Sequence, residues 1–172
     1  MDRPLDTLLS DLDLPGHRAV AEHWLGLYRD GGGAIPSLAQ IDPLHFHRAL
    51  PDAWIVDHTD DDRFRFRLMG ETLVAWYGRN PKGLYYQDLF APTIVPLLEA
   101  QSRLVLQRPC AGFQRVHTNV PLTAHMPRSF ERLTFPLREK DGDRILHILG
   151  NSIFNRAAGE PEPECEYWYP IP

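Results

Sequence analysis

A chain of 172 residues with 43% apolar and 24% charged residues has the size and composition of an ordinary globular domain, able to bury a core without disulfides or a structural metal. Its net charge of -5 argues against general nucleic-acid binding, which calls for a basic domain or a basic face. The acid-rich start MDRPLDTLLSDLDLPGH is no signal peptide and no stretch approaches the ~20 apolar residues of a membrane span, so a cytoplasmic location is expected. Residues 17–30 carry Val20, Trp24, Leu27 and Tyr28 at helical spacing, and the glycines at 31–33 stop that helix. Asp42 as cap and Pro43 as first residue predict a short helix over 43–49, ended by Pro51.

The pattern then changes to strands. DAWIVDHT (52–59) and RFRFRLMG (63–70) flank the acidic turn 60–62. An antiparallel hairpin through that turn sets Asp57 opposite Arg65, Val56 opposite Phe66, Ile55 opposite Arg67 and Trp54 opposite Leu68. Trp54, Val56, Phe64, Phe66 and Leu68 then share one buried face, and most of the charge takes the other. Leu73, Val74 and Tyr77 predict a short helix ended by Gly78; YQDLF (86–90) suits a further helical turn. The clearest helix is 92–109, with Ile94, Leu97, Leu98, Gln101, Leu104 and Val105 on one face and Pro109 at its end.

Three more strands follow, 110–118, 129–139 and 144–155, rich in β-branched and aromatic residues. KDGD (140–143) is a tight turn, and 119–128 reads as a loop. The tail 157–172 starts acidic and proline-rich and ends YWYPIP; it reads either as a flexible extension or as a segment docked on a surface or second subunit. Strands at both ends of a helical middle indicate an α+β domain with one five-stranded antiparallel sheet and helices on one face. The expected organisation is one domain over 1–172: an N-terminal helical extension to residue 50, a core over 51–156 and the tail.

This order, two strands, a helical middle and three strands, resembles the PAS domain superfamily. The motifs resemble those of compact bacterial PAS proteins with few or no attached output domains: a Trp-bearing helix, then Ile35, Pro36, Ile41, Asp42 and Pro43, Leu50 and Pro51 before the first strand, an arginine-rich second strand ending Arg67-Leu68-Met69-Gly70, and Gly78, Arg79 and Gly83 beyond it. The chain departs from that pattern at Ser37, where a basic residue is more usual. The resemblance covers roughly 20–155. It implies a sensor or regulator that binds a small molecule or a signalling protein, with possible dimerisation through the N-terminal extension, and it does not name the ligand.

No GxSxG, HExxH, GxGxxG or P-loop is present, so an enzyme is not expected. His45 and His47 stand two apart on a short helix and make a poor chelate; no metal site is expected. Haem-binding relatives usually carry the axial histidine on the long helix, where this chain has none, leaving only His117, His125 and His147 as fallbacks; flavin photochemistry lacks its NCRFLQ-like motif. Both cofactors are therefore disfavoured. Cys110 and Cys165 have no metal or redox spacing.

A pocket between sheet and helical middle would be lined by candidates among Phe66, Leu68, Trp76, Tyr77, Leu98, Phe113, Phe135 and His147, with Arg115 and His117 more telling if buried beside them. Each could equally be plain core. Trp24, Trp54 and Arg67 are candidates for structural or partner roles. Arg63, Arg65 and Arg67 share a face and could grip phosphate, but Asp57, Asp60, Asp61 and Asp62 neutralise them, so a solvated, acid-paired face is the reading adopted. Arg67 is the exception: opposite Ile55 it has no facing acid, and Glu71 or the N-terminal segment are its candidate partners. Two other classes stay open: a small α+β enzyme with a His or Asp general base, and a ligand-free interaction module working through its aromatic tail.

Overall fold

A computed structural model describes residues 1–117, 129–154 and 163–172. The expected loop over 119–128, with His125, and the start of the tail lie outside them. Helix α1 (Pro15–Asp30) begins at a proline, whose fixed φ and missing N–H suit a first helical turn, and ends at Gly31. Strands β1 (Ala53–His58) and β2 (Phe64–Met69) lead into α2 (Glu71–Tyr77), α3 (Tyr86–Leu89) and α4 (Val95–Gln107). Pro96 sits in the first turn of α4, where it removes no intrahelical bond. Strands β3 (Cys110–His117), β4 (Ser129–Arg138), β5 (Ile145–Phe154) and β6 (Cys165–Pro170) complete the chain. Residues 43–52 form 3-10 turns rather than the short α-helix expected over 43–49; Asp42 caps them as anticipated, accepting from the Leu44 N–H at 2.9 Å.

The sheet is antiparallel with order β2-β1-β5-β4-β3-β6. It has six strands where five were expected. The extra one comes from the tail: Tyr167 pairs with Phe113 and Tyr169 with Ala111. The tail is therefore no flexible extension over 165–170, because β3 would otherwise be an open edge. Tyr169 is fully buried and its hydroxyl donates to Asp11 Oδ2 at 2.9 Å.

Helices α2–α4 cover one face of the sheet, as expected, and the N-terminal helical extension packs on the other. Trp54, Val56, Phe64, Phe66, Phe130, Ile148 and Phe154 pack under α2, α3 and α4. On the opposite face Ile55, Phe113, Leu133, Phe135, Leu137 and Leu149 pack against Val20, Trp24 and Leu25 of α1 and against Leu8 and Leu12. Strand alternation produces this split, since successive side chains point to opposite sides. Trp24 anchors α1: its ring stacks on Phe135 at 4.9 Å and its Nε1–H donates to the Pro136 carbonyl at 3.0 Å.

The first hairpin follows the expected register at Val56–Phe66 and Asp57–Arg65 and then departs from it. A β-bulge between Ile55 and Val56 leaves Arg67 as the extra residue, so Leu68 faces Ile55 and Met69 faces Trp54. The one-residue slip inverts parity beyond that point. Leu68, expected on the buried face, is 41% exposed. Arg67 gains the acid that the regular register denied it: its Nε–H donates to Asp57 Oδ1 at 2.7 Å. Asp57 also bonds His147 Nδ1 at 2.8 Å and lies 3.7 Å from Arg65. At Gly70 the strand exits so close to the preceding turn that a Cβ would come within 2.2 Å of the Leu50 carbonyl oxygen. Beside Ser37, Arg138 of β4 donates through Nε–H to the Ile35 carbonyl at 2.6 Å.

Candidate ligand pocket

Between the sheet and α2–α4 lie two adjoining cavities of about 30 and 20 Å³. Trp54, Tyr86, Leu98 and Arg132 line both. The strands supply Trp54, Phe66, Arg132, Thr134, Gln114 and Ser152; α2 supplies Leu73 and Tyr77, and α4 supplies Gln101 and Ser102. Local sequence places these groups. Gly78, in the left-handed region at φ 71, ends α2 directly after Tyr77. Asp88 accepts the Tyr85 N–H at 2.9 Å and so starts α3, which carries Tyr86 inward. Tyr86 stacks on Phe64 at 5.4 Å and its hydroxyl meets Ser102 Oγ at 3.0 Å, tying α3 to α4. Trp54 donates from Nε1 to Ser152 Oγ at 2.9 Å.

Arg132 is the outstanding group. It comes from the middle of a central strand, and its Nε is shielded from solvent without a hydrogen-bond partner. Among the described residues no carboxylate pairs with it; its nearest defined contact is the Phe130 ring, 4.9 Å from the guanidinium carbon. The residue as a whole is of intermediate burial and lines both cavities. Burial lowers its pKa from the ordinary value, opposed by Tyr77 and Tyr86. An arginine nonetheless stays charged, so the pocket contains a desolvated cation. Burial pushes the Tyr86 hydroxyl up to about 12 and the Tyr77 hydroxyl well above its usual range, so both are neutral donors. Among the described residues nothing hydrogen-bonds the Tyr77 hydroxyl. The site thus presents a cation and an unused hydroxyl to a space otherwise walled by Phe66, Leu73, Phe90 and Leu98.

Of the pocket candidates read from the sequence, the structure brings Phe66, Tyr77 and Leu98 to the cavities, and Trp54 with them. Trp76 packs behind them on Phe154 at 6.3 Å. The others are elsewhere. Leu68 is on the surface. Phe113 and Phe135 lie on the opposite sheet face, beneath α1. Arg115 is on that face too, where Nε–H donates to Glu131 Oε1 at 2.8 Å. His117 Nδ1 meets Ser129 Oγ at 2.7 Å near the end of β3, and His147 belongs to the Asp57 cluster. Trp24 is core, joined to Phe135.

Sequence reading missed Arg132, Tyr86, Ser102, Gln114, Ser152 and Trp168. A signal existed for one of them. In SFERLTFPLRE, Arg132 alternates with Phe130 and Thr134, and a strand destined for the sheet centre has no wet face for an arginine.

No curated protein matches the chain. A family model described as PAS domain matches residues 13–151, well over half of its length. That span runs from just before α1 through most of β5 and takes in β1 to β4 and the helices that enclose the cavities, and the chain therefore belongs to the PAS domain family.

Proposed function

We propose that this chain is a bacterial, cytoplasmic sensory protein that binds a small molecule between its sheet and α2–α4 and signals by shifting how α1 packs on the opposite sheet face. Membership of the PAS family supports a sensory or regulatory role in general terms. One observation carries the small-molecule reading: the core under α2–α4 holds a shielded donor with no partner, Arg132 Nε. A core selected only for stability pairs its polar groups.

The signalling step has a structural basis in β4. Consecutive residues there serve the two faces: Arg132 enters the cavities, and Glu131 lies under α1, with Oε2 3.7 Å from His17 Nε2. His17 in turn meets Asn151 Oδ1 at 2.7 Å through Nδ1. A ligand that draws Arg132 displaces the strand that holds the first turn of α1. No helix of the described residues is long and apolar enough to cross a membrane, and both cysteines are free thiols, which suits a reducing compartment. An aromatic-tail interaction module is less well supported, because Tyr169 is used inside the chain.

Native mass spectrometry of protein purified without denaturation tests the reading. The expected result is a bound small molecule that is lost on denaturing infusion, with slower hydrogen exchange in α2–α4 and altered exchange in α1 relative to refolded, ligand-free protein. A chain of bare mass, with identical exchange in both preparations, refutes it.

A further inference from the structure

We infer that the ligand is a small organic carboxylate, its carboxylate paired with the Arg132 guanidinium and hydrogen-bonded by the Tyr77 hydroxyl. This rests on the pocket reading above and names the class of molecule. Burying a guanidinium without a counter-charge is costly, and the described residues offer Arg132 no acid; the missing anion is the natural contribution of a ligand. A carboxylate fits better than a phosphate. The guanidinium fork matches a planar carboxylate bidentately, whereas a phosphate dianion would leave charge uncompensated beside one cation and neutral hydroxyls. Beyond Arg132 one cavity is walled mainly by Phe66, Leu73, Phe90 and Leu98, and the other adds the neutral polar groups of Gln101, Ser102, Gln114 and Thr134; neither lining offers a partner for a second charge. Size narrows the class further. Cavities of 30 and 20 Å³ together hold about three to five water-sized groups, so a carboxylate of two or three carbons already fills them.

Thermal-shift titrations at fixed ionic strength, with acetate and propanoate against their isosteric amides and inorganic phosphate, read this directly on the full chain. The acids are expected to raise Tm saturably; the amides and phosphate are not. Arg132→Met is expected to raise the Tm of the ligand-free protein, since it removes an uncompensated buried charge, and to weaken the acid response by about 100-fold or more. Tyr77→Phe is expected to fold normally and to weaken it about tenfold.

Equal shifts from acids and amides, or an acid response untouched by Arg132→Met, would overturn the carboxylate while leaving the pocket standing. A ligand-free Arg132→Met protein of lower Tm would also overturn it, by showing that the arginine serves the fold. No shift from any probe, together with bare mass in native spectra, would take down the pocket reading as well.

Discussion

Gly150 of β5 is where the pocket's geometry is most sharply exposed to test. It lies directly opposite Trp54 of β1, and the indole is laid flat across it. A Cβ built on Gly150 would stand 2.0 Å from Trp54 Cε2 and 2.1 Å from Cζ2. No real contact is that short, so in Gly150→Ala the ring must tilt away from the sheet, towards the cavities and Arg132. Overpacking of this kind costs about 1–3 kcal/mol. The bond from Trp54 Nε1 to Ser152, 2.9 Å long, would be broken by the same tilt, adding about 1 kcal/mol. A combined loss of about 2–4 kcal/mol corresponds to a Tm lower by roughly 4–16 °C in a chain of this size. Urea unfolding followed by far-ultraviolet circular dichroism gives the value, and a double-mutant cycle gives its origin. In a Trp54→Leu background the alanine should cost well under ~1 kcal/mol, because the ring it strikes is gone. An alanine that is neutral in the parent chain, or equally costly in both backgrounds, would refute the argument.

Three other outcomes follow from the same structure. Burial tends to raise the Asp57 carboxyl, but hydrogen bonds from His147 and Arg67 outweigh it and hold its pKa below the ordinary value. A carboxylate depressed in the folded state contributes stability above its unfolded pKa of about 4 and loses it as pH falls through the folded value, so urea midpoints should fall more steeply below about pH 4 in the parent than in Asp57→Asn. At neutral pH the same substitution should cost about 1–2 kcal/mol, limited because both arginines are half-exposed. Trp24→Ala should lose about 3–5 kcal/mol in urea unfolding, having removed the fully buried ring that holds α1 to Phe135. Tyr169→Phe removes only the hydroxyl bond to Asp11 and should lose about 1–2 kcal/mol, measured the same way, with β6 still formed.

Strand alternation made much of the fold readable, and its failures have identifiable causes. Phe64, Phe66, Val56 and Trp54 were assigned to the buried face because period two allows only two choices, and burial selects one. The same rule misplaced Leu68, since a bulge inserts one residue without any sequence mark and reverses every assignment after it. Phe113 and Phe135 were given to the wrong face for a different reason. β4 is apolar on both sides, through Phe130 on one and Leu133, Phe135 and Leu137 on the other, so alternation separates the faces without saying which helices cover which. The sixth strand was hidden by the acidic, proline-rich lead-in to CEYWYP, which reads as tail until a free strand edge is available to receive it. Arg132 escaped notice because an arginine in an alternating strand is ordinarily a surface residue, and its abnormality appears only when β4 is placed between β5 and β3.

That placement bears on why the residue is there. At the centre of a sheet covered on both faces, a cation without a counter-ion weakens the fold by several kcal/mol relative to an apolar side chain of its size. The Phe130 ring, 4.9 Å from the guanidinium carbon, offsets only part of the loss, and the polar neighbours are engaged elsewhere: Tyr86 and Ser102 satisfy each other, Trp54 is satisfied by Ser152, and Gln114 donates to Glu166 at 2.8 Å. These polar neighbours are thus paired among themselves and give Arg132 no counter-charge. A chain that needed only a stable sheet would carry methionine or leucine at this position. On the carboxylate proposal, arginine makes the pocket side of β4 unfavourable until an anion arrives, and places the resulting gain in stability on a strand that also touches α1 through Glu131 and Pro136.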